Sequence, residues 1–284
     1  YTKECGTNMM LESTKKKTMT KENLLLNAIN AALAGGKEIL DVYNSNFAIE
    51  HKDDKSPLTE ADKRAHLKIV ELLECTSIPV LSEEGKNIPY EDRKNWNQFW
   101  MVDPLDGTKE FIKRNGEFTV NIALIENQES TMGVIYVPVT GELYFSDEKA
   151  YKAENMKLKV ESLEELIQNA GILPLPQTRK NYIVVGSRSH MSEETETYIN
   201  EQKELHNEVD ILSKGSSLKL CMIAEGAADS YPRFAPTMEW DTAAGQAIVR
   251  GSGANVINWE TQETMLYNKE NLLNSWFLVK RETN

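Results

Sequence analysis

The chain has only three cysteines, Cys5, Cys75 and Cys221, spread over 284 residues. No CxxC pair marks zinc or dithiol chemistry, and no dense framework marks a disulfide-built secreted domain, so the thiols read as reduced and the compartment as the cytoplasm. Long apolar runs are absent as well. No stretch of about 18 apolar residues occurs, which excludes a membrane-spanning helix. Cations are in deficit, with 32 Lys and Arg against 44 Asp and Glu and a net charge of −12. Such a chain repels phosphate backbones and anionic lipid at long range, so a nucleic-acid polymer is not an expected partner. Internal repeats and low-complexity blocks are also missing. Tyr1 to Thr20 is polar and basic around Lys15-Lys16-Lys17, lacks the apolar core of a signal peptide, and reads as a tail outside the fold.

What is present is an ordinary globular balance, 40% apolar and 27% charged, long enough for one large domain or two lobes. Leu25, Ile29, Leu33, Gly36, Leu40 and Tyr43 recur at three- and four-residue steps and predict a helix over about 22–43. A second helix is expected from Thr59, where Thr59-Glu60-Ala61-Asp62 resembles a capping box and Pro57 ends anything helical before it. Ile78 to Leu81 and Phe99 to Val102 read as short buried strands. Phe118 to Ile125, Met132 to Val137 and Leu143 to Phe145 read as an antiparallel meander. Later segments alternate: a helix at Leu163 to Asn169, a strand at Tyr182 to Val185, a helix capped by Ser216 and stopped by Gly226, a strand at Ala228 to Tyr231, and a helix from Thr242 to Arg250 capped by Asp241. The expectation is an α/β chain with an α+β lobe over 21–158 and an α/β lobe over 159–284.

Four acidic groups fall at strand ends or helix starts: Asp62, Glu83 with Glu84, Asp103 with Asp106, and Asp241. Each has an ordinary explanation. Asp103-Pro104-Leu105-Asp106-Gly107 suits a turn, Asp62 completes a cap, and Asp241 starts a helix. Hard divalent cations, however, need carboxylates converging from separate elements, and magnesium is held by a few of them plus substrate phosphate. Asp103 and Asp106 flank a rigid proline, with the Leu105 carbonyl between them. Gly107 and Thr108 follow with backbone N–H groups and a hydroxyl, a phosphate cradle if a helix starts there. Acidic groups beside a phosphate cradle point to metal-assisted phosphate chemistry.

Asp103-Pro104-Leu105-Asp106-Gly107-Thr108 and Trp240-Asp241-Thr242-Ala243-Ala244-Gly245, with Glu83-Glu84 twenty residues before the first run, resemble the signatures of the inositol monophosphatase superfamily of lithium-sensitive, magnesium-dependent phosphatases. The longer run from Asp103 to Leu124 resembles its bacterial 3′(2′),5′-bisphosphate nucleotidase branch. So do Ser56 to Asp62, Leu81 to Glu84, Ser187-Arg188-Ser189-His190, Gly215 to Lys219 and Tyr231 to Phe234, and together the pieces span about Leu25 to Tyr267.

The resemblance implies a layered αβαβα sandwich with the active site between the lobes. It implies that Glu83, Asp103 and the Leu105 carbonyl hold a first Mg²⁺, that Asp103, Asp106 and Asp241 hold a second, and that a third sits loosely near Glu83. Thr108 and Asp62 would orient and deprotonate the attacking water. Around the reacting phosphate would stand Glu83, Leu105, Asp106, Gly107, Thr108 and Asp241; Ser187, Arg188, His190, Ser216, Lys219 and Arg233 would contact the adenosine and its 5′-phosphate. The implied substrate is a nucleotide bisphosphate, with adenosine 3′,5′-bisphosphate cleaved to AMP and phosphate and the sulfated precursor also accepted. The protein is expected to be cytoplasmic, free or peripheral at the inner membrane, and a monomer or homodimer. An inositol or sugar monophosphatase is the alternative, disfavoured by Lys109-Glu110-Phe111 where such enzymes carry a Thr-Asn-Phe-like run. A non-catalytic nucleotide or metal sensor would have lost an acidic ligand, and none is lost. His51, His66 and His206 show no ligand spacing, and Glu193, Glu194 and Glu196 read as solvated surface.

Overall fold

The structure, a computed structural model, describes residues 19–45, 57–186 and 191–281. Thr20 opens α1 (Lys21–Tyr43): it sits in extended backbone and its hydroxyl accepts the Asn23 N–H. α2 (Pro57–Leu73) starts two residues earlier than its capping-box reading, because Pro57 has the φ and the missing donor that suit a first helical position. A short 3₁₀ turn leads to β1 (Val80–Ser82), α3 (Tyr90–Arg93) and β2 (Gln98–Asp106). Then come α4 (Thr108–Lys113) and the meander β3 (Thr119–Glu126), β4 (Glu129–Val137), β5 (Glu142–Ser146) and β6 (Ala150–Ala153). α5 (Leu163–Asn169) and β7 (Gly171–Ile172) complete the first sheet, in which the seven strands lie in sequence order.

The second sheet is built from β8 (Tyr182–Gly186), β9 (Val209–Ser213), β10 (Ser230–Arg233), β11 (Ala254–Asn258) and β12 (Phe277–Arg281), in the order β11-β12-β10-β8-β9. α6 (Glu193–Leu205), α7 (Leu218–Glu225) and α8 (Glu239–Gly251) connect its strands. The expected αβαβα sandwich is what forms, and residue alternation builds it. On β2, Trp100 and Val102 pack with α1 and α2, whereas Phe99 and Met101 pack inward with α7 and α8. Both faces of this strand are covered, so it reads as a continuous apolar run. Beyond α7 and α8 lies the second sheet, whose outer face packs Val184, Phe234 and Leu278 against Tyr198 and Ile199 of α6. α8 lies directly on β4: a Cβ at Gly133 would stand 2.2 Å from the Ala244 carbonyl oxygen.

Several element readings are corrected. α7 starts at Leu218, and Ser217, not Ser216, occupies the cap position. α8 starts at Glu239, which makes Asp241 a first-turn residue instead of the residue before the helix. β10 begins at Ser230, not Ala228. α6 and β9 escaped the sequence reading because each buries little: α6 shows only Thr195, Tyr198 and Ile199 to the core, and β9 is a largely exposed edge. Glu193, Glu194 and Glu196 are exposed, as expected, in the first turn of α6.

Candidate active site

The acidic run is not a simple turn. β2 continues through Asp106, pairing Asp103 with Asn121 and Asp106 with Thr119 on β3. Three steps along β2 match two along β3, so one extra residue bulges at Pro104-Leu105. In a regular strand, residues three apart point to opposite faces; the bulge restores the phase and brings both carboxylates to one side. Asp241, in the first turn of α8, meets them from the helix layer between the two sheets. Ligand oxygens of Asp103, Asp106 and Asp241 all lie within 4.8 Å of one another. Gly107, which ends the strand, has φ +97°, a conformation that glycine adopts without strain.

Hydrogen bonds fix each carboxylate. Asp103 is fully buried and accepts the Leu105 N–H at 3.1 Å. Asp241 Oδ2 accepts the Met238 N–H at 2.8 Å. Asp106 Oδ2 is held by the Ser217 N–H at 2.7 Å and by the Ser216 and Ser217 hydroxyls, each at 2.6 Å. Asn121 braces the same group, donating to Ser217 Oγ at 2.8 Å, and the Thr119 hydroxyl lies 2.6 Å from that of Ser216.

Such a cluster cannot be fully ionised alone. Two unit charges 4.8 Å apart repel by about 3.5 kcal/mol at an effective dielectric of about 20. Burial, then Asp106, Glu83, Asp241 and Asp62, hold the Asp103 carboxyl well above its ordinary value. Burial and Asp106 push Asp241 up to about 7, and burial with Glu84 and Glu83 pushes Asp62 up to about 8. Glu83 is raised mainly by burial, while a hydrogen bond to Asp103 opposes the rise. Asp62 Oδ1 is buried with no hydrogen-bond partner. An all-oxygen set with crowded negative charge and an unsatisfied buried acceptor fits a hard divalent cation, not a thiolate- or imidazole-seeking metal.

Asp106 and Asp241 open onto a cleft of about 290 Å³, which Gly107, Thr108, Ser216, Lys219 and Arg233 also line. Asp62, Glu83, Asp103 and Leu105 do not line it; the last two are buried beneath it, and Asp62 is also buried. Thr108 stands exposed at the rim. Ser187, Arg188 and His190 lie outside the described residues, as does His51. Five cations, Lys109, Lys113, Lys214, Lys219 and Arg233, line the cleft against four acids, in a chain where acids predominate. Lys219 is not a solvated helix lysine. It is buried, donates to the Ser216 carbonyl at 2.8 Å, and lies over the Tyr231 ring. Burial lowers its pKa to about 8. Arg233 donates to the Pro236 carbonyl at 3.1 Å, and its Nε is buried without a partner.

The sequence reading passed over Thr119, Asn121 and Ser217. Thr119 and Asn121 are polar residues two apart within an otherwise apolar buried strand, a signal that was available. His66, taken as ordinary, has Nδ1 2.9 Å from the Ser82 hydroxyl, next to Glu83.

The chain matches the model of the inositol monophosphatase family over residues 20–282. It is 44% identical over 251 residues to the 3′(2′),5′-bisphosphate nucleotidase CysQ of Salmonella typhimurium (strain LT2), covering 86% of this chain and 94% of that protein. To the protein of the same name from Escherichia coli (strain K12) it is 42% identical with the same coverage. The crystal structure of CysQ from Bacteroides thetaiotaomicron, described as a bacterial member of the inositol monophosphatase family, superposes with a TM-score of 0.88 at 50% identity, covering 93% of this chain and 99% of that one.

Proposed function

The chain belongs to the inositol monophosphatase family, and on that premise we propose that it is a magnesium-dependent 3′(2′),5′-bisphosphate nucleotidase that hydrolyses adenosine 3′,5′-bisphosphate to AMP and phosphate. The observation that carries this reading is the mixed lining of one cleft: Asp106 and Asp241, which gather with buried Asp103, share it with the cations Lys219 and Arg233. The carboxylates suit divalent cations with a phosphate, and Lys219 and Arg233 suit a second phosphate. The names of the relatives agree with this choice over an inositol or sugar monophosphatase.

Glu83, Asp103 and the Leu105 carbonyl would hold the first Mg²⁺, Asp103, Asp106 and Asp241 would hold the second, and a third would sit loosely near Glu83. Bound there, Mg²⁺ neutralises phosphoryl charge and makes water more acidic. Asp62 receives the proton of the attacking water, a role supported by its buried, unpartnered Oδ1. Thr108 orients that water from the rim, and the Gly107 and Thr108 N–H groups face the 3′-phosphate. Lys219 and Arg233 grip the 5′-phosphate. Ser216, Ser187, Arg188 and His190 complete the nucleotide contacts. The free thiols Cys75 and Cys221 fit a reducing cytoplasm.

Phosphate release from adenosine 3′,5′-bisphosphate and from inositol 1-phosphate, each with Mg²⁺ and with and without lithium, tests the reading. The expected result is a clear preference for the bisphosphate and inhibition by lithium. Equal or better turnover of inositol 1-phosphate would replace the reading with a monophosphatase, and no turnover of either would remove the enzyme.

A further inference from the structure

Asp106 belongs to β2 of the first sheet, yet most of the bonds on its Oδ2 come from the segment that leads into α7. That segment, 214–217, has no regular structure, and Ser216 within it sits at φ +53°, which a residue with a side chain seldom adopts without support. Lys219 Nζ supports it from α7, donating to the Ser216 and Lys214 carbonyls at 2.8 and 3.3 Å, and Glu117, just ahead of β3, supports it from the first sheet. Glu117 Oε2 accepts the Gly215 N–H at 2.9 Å, and Oε1 meets Lys214 Nζ at 3.4 Å. Glu117 is itself fixed, its own N–H donating to Asn115 Oδ1 at 3.0 Å. Gly215 is seated without room to spare. A Cβ there would stand 2.5 Å from Glu110 Cγ and 3.0 Å from the Glu117 carbonyl oxygen.

We propose that Glu117 is a positioning residue: it pins the 214–217 strap so that Ser216 and Ser217 hold Asp106 Oδ2, which leaves the other Asp106 oxygen for the cation. The inference rests on Asp106 being a metal ligand, as read above. Of the two bonds Glu117 makes to the strap, the one to Gly215 matters. Lys214 is 43% exposed against 15% for Glu117, and a pair so open to water contributes little. The bond to the Gly215 N–H is short, has a charged acceptor, and fixes backbone.

Direct titration of Mn²⁺ into the full chain, read by the loss of the free-ion electron-spin signal, tests this alongside thermal unfolding of the metal-free protein. Glu117→Ala is expected to weaken Mn²⁺ binding about 10-fold, the low end for losing a charge-assisted bond. Glu117→Gln keeps an acceptor oxygen for Gly215 and should stay within about threefold of wild type, and Lys214→Ala likewise. Gly215→Ala crowds the strap against Glu110 and the Glu117 backbone carbonyl, and should reproduce the Glu117→Ala defect with the Glu117 carboxylate retained. A merely structural role would lower the melting temperature of Glu117→Ala and leave Mn²⁺ affinity per folded molecule unchanged, and that result overturns the inference. So does Glu117→Gln failing as badly as Glu117→Ala, since charge and not the bond would then be at work. A wild type that binds Mn²⁺ beside unaltered Glu117→Ala and Gly215→Ala removes only this inference. A wild type that binds no Mn²⁺ and releases no phosphate removes the functional reading with it.

Discussion

Arg233→Ala separates selectivity for two phosphates from general catalysis. Arg233 stands in the cleft wall between Pro232 and buried Phe234, with Nη2 on the Pro236 carbonyl and Nε unpartnered, so it is pre-set for an incoming anion. A hydrogen bond to a charged group contributes about 1.5–3 kcal/mol, so kcat/KM for adenosine 3′,5′-bisphosphate should fall roughly 10–150-fold at neutral pH. Adenosine 3′-monophosphate has no 5′-phosphate to lose, and its kcat/KM should barely change. A second signature comes from Lys219. Its pKa is lowered to about 8 mainly by burial, and the Arg233 charge lowers it further, while Asp106 opposes both. In wild type, bisphosphate affinity should therefore weaken as pH rises through about 8. Removing Arg233 lifts the Lys219 pKa, so that weakening should move to higher pH, and the ratio of wild-type to variant kcat/KM should shrink between pH 7 and pH 9. The assay is steady-state phosphate release on both substrates across that range. Equal losses on the two substrates would refute the subsite, and a ratio that grows with pH would refute the coupling to Lys219.

Asp103→Asn should abolish turnover even in saturating Mg²⁺, because it removes the buried carboxylate proposed to serve both cation sites; near-normal phosphate release would refute that placement. Thr108→Ala should lower kcat on the order of 10²–10⁴-fold while Mn²⁺ titration stays unchanged, if the exposed Thr108 hydroxyl takes the proposed water-orienting role and is no metal ligand. Millimolar lithium and calcium should each inhibit, lithium by occupying a labile cation site at Asp106 and Asp241 and calcium through its looser coordination; activity indifferent to both would count against that site. Metal-free protein should become less stable between about pH 5 and 8: Asp62 and Asp241, raised to about 8 and about 7, stay protonated when folded but ionise on unfolding, so the stability they lend is full at low pH and is lost as pH rises through those values. Thermal unfolding with chelator should show the decline and Mg²⁺ should reverse it most strongly at the alkaline end, whereas a flat profile would mean that the carboxylates titrate normally.

The chemistry of the site was more legible than its geometry. Runs such as Phe99 to Val102 and Phe118 to Ile125 declared buried strands because both faces of the first sheet are covered, by α1 and α2 outside and by α7 and α8 inside. The outer layer was not legible in the same way. α6 spends most of its surface on solvent, so its glutamates mask the Tyr198–Ile199 stripe, and β9 is an edge whose Ile211 and Leu212 face water. Periodicity reports burial, and these elements have little of it to report.

Asp103 and Asp106 show where residue identity stops short. Pro104 and Gly107 made a turn the natural expectation, and a turn would also have brought the two carboxylates together. The chain instead stays in register with β3 and inserts one residue, so that Asn121 and Thr119 remain opposite Asp103 and Asp106 as pairing partners. That choice matters chemically. A free turn would leave Asp106 to solvent, whereas the bulged strand sets it against Asn121, Ser216 and Ser217, whose donors hold Oδ2 from the neighbouring strand and from the segment before α7. The Asp106 carboxylate is thus held by partners 15 and about 110 residues away, and nothing in a local run encodes such distances. What a sequence does carry is the compatible residue at each end: a polar Thr-x-Asn inside an apolar strand, and a Gly-Ser-Ser ahead of a helix. Each is an oddity alone, and only the fold that superposes them makes a site able to gather like charges and keep them waiting for a cation.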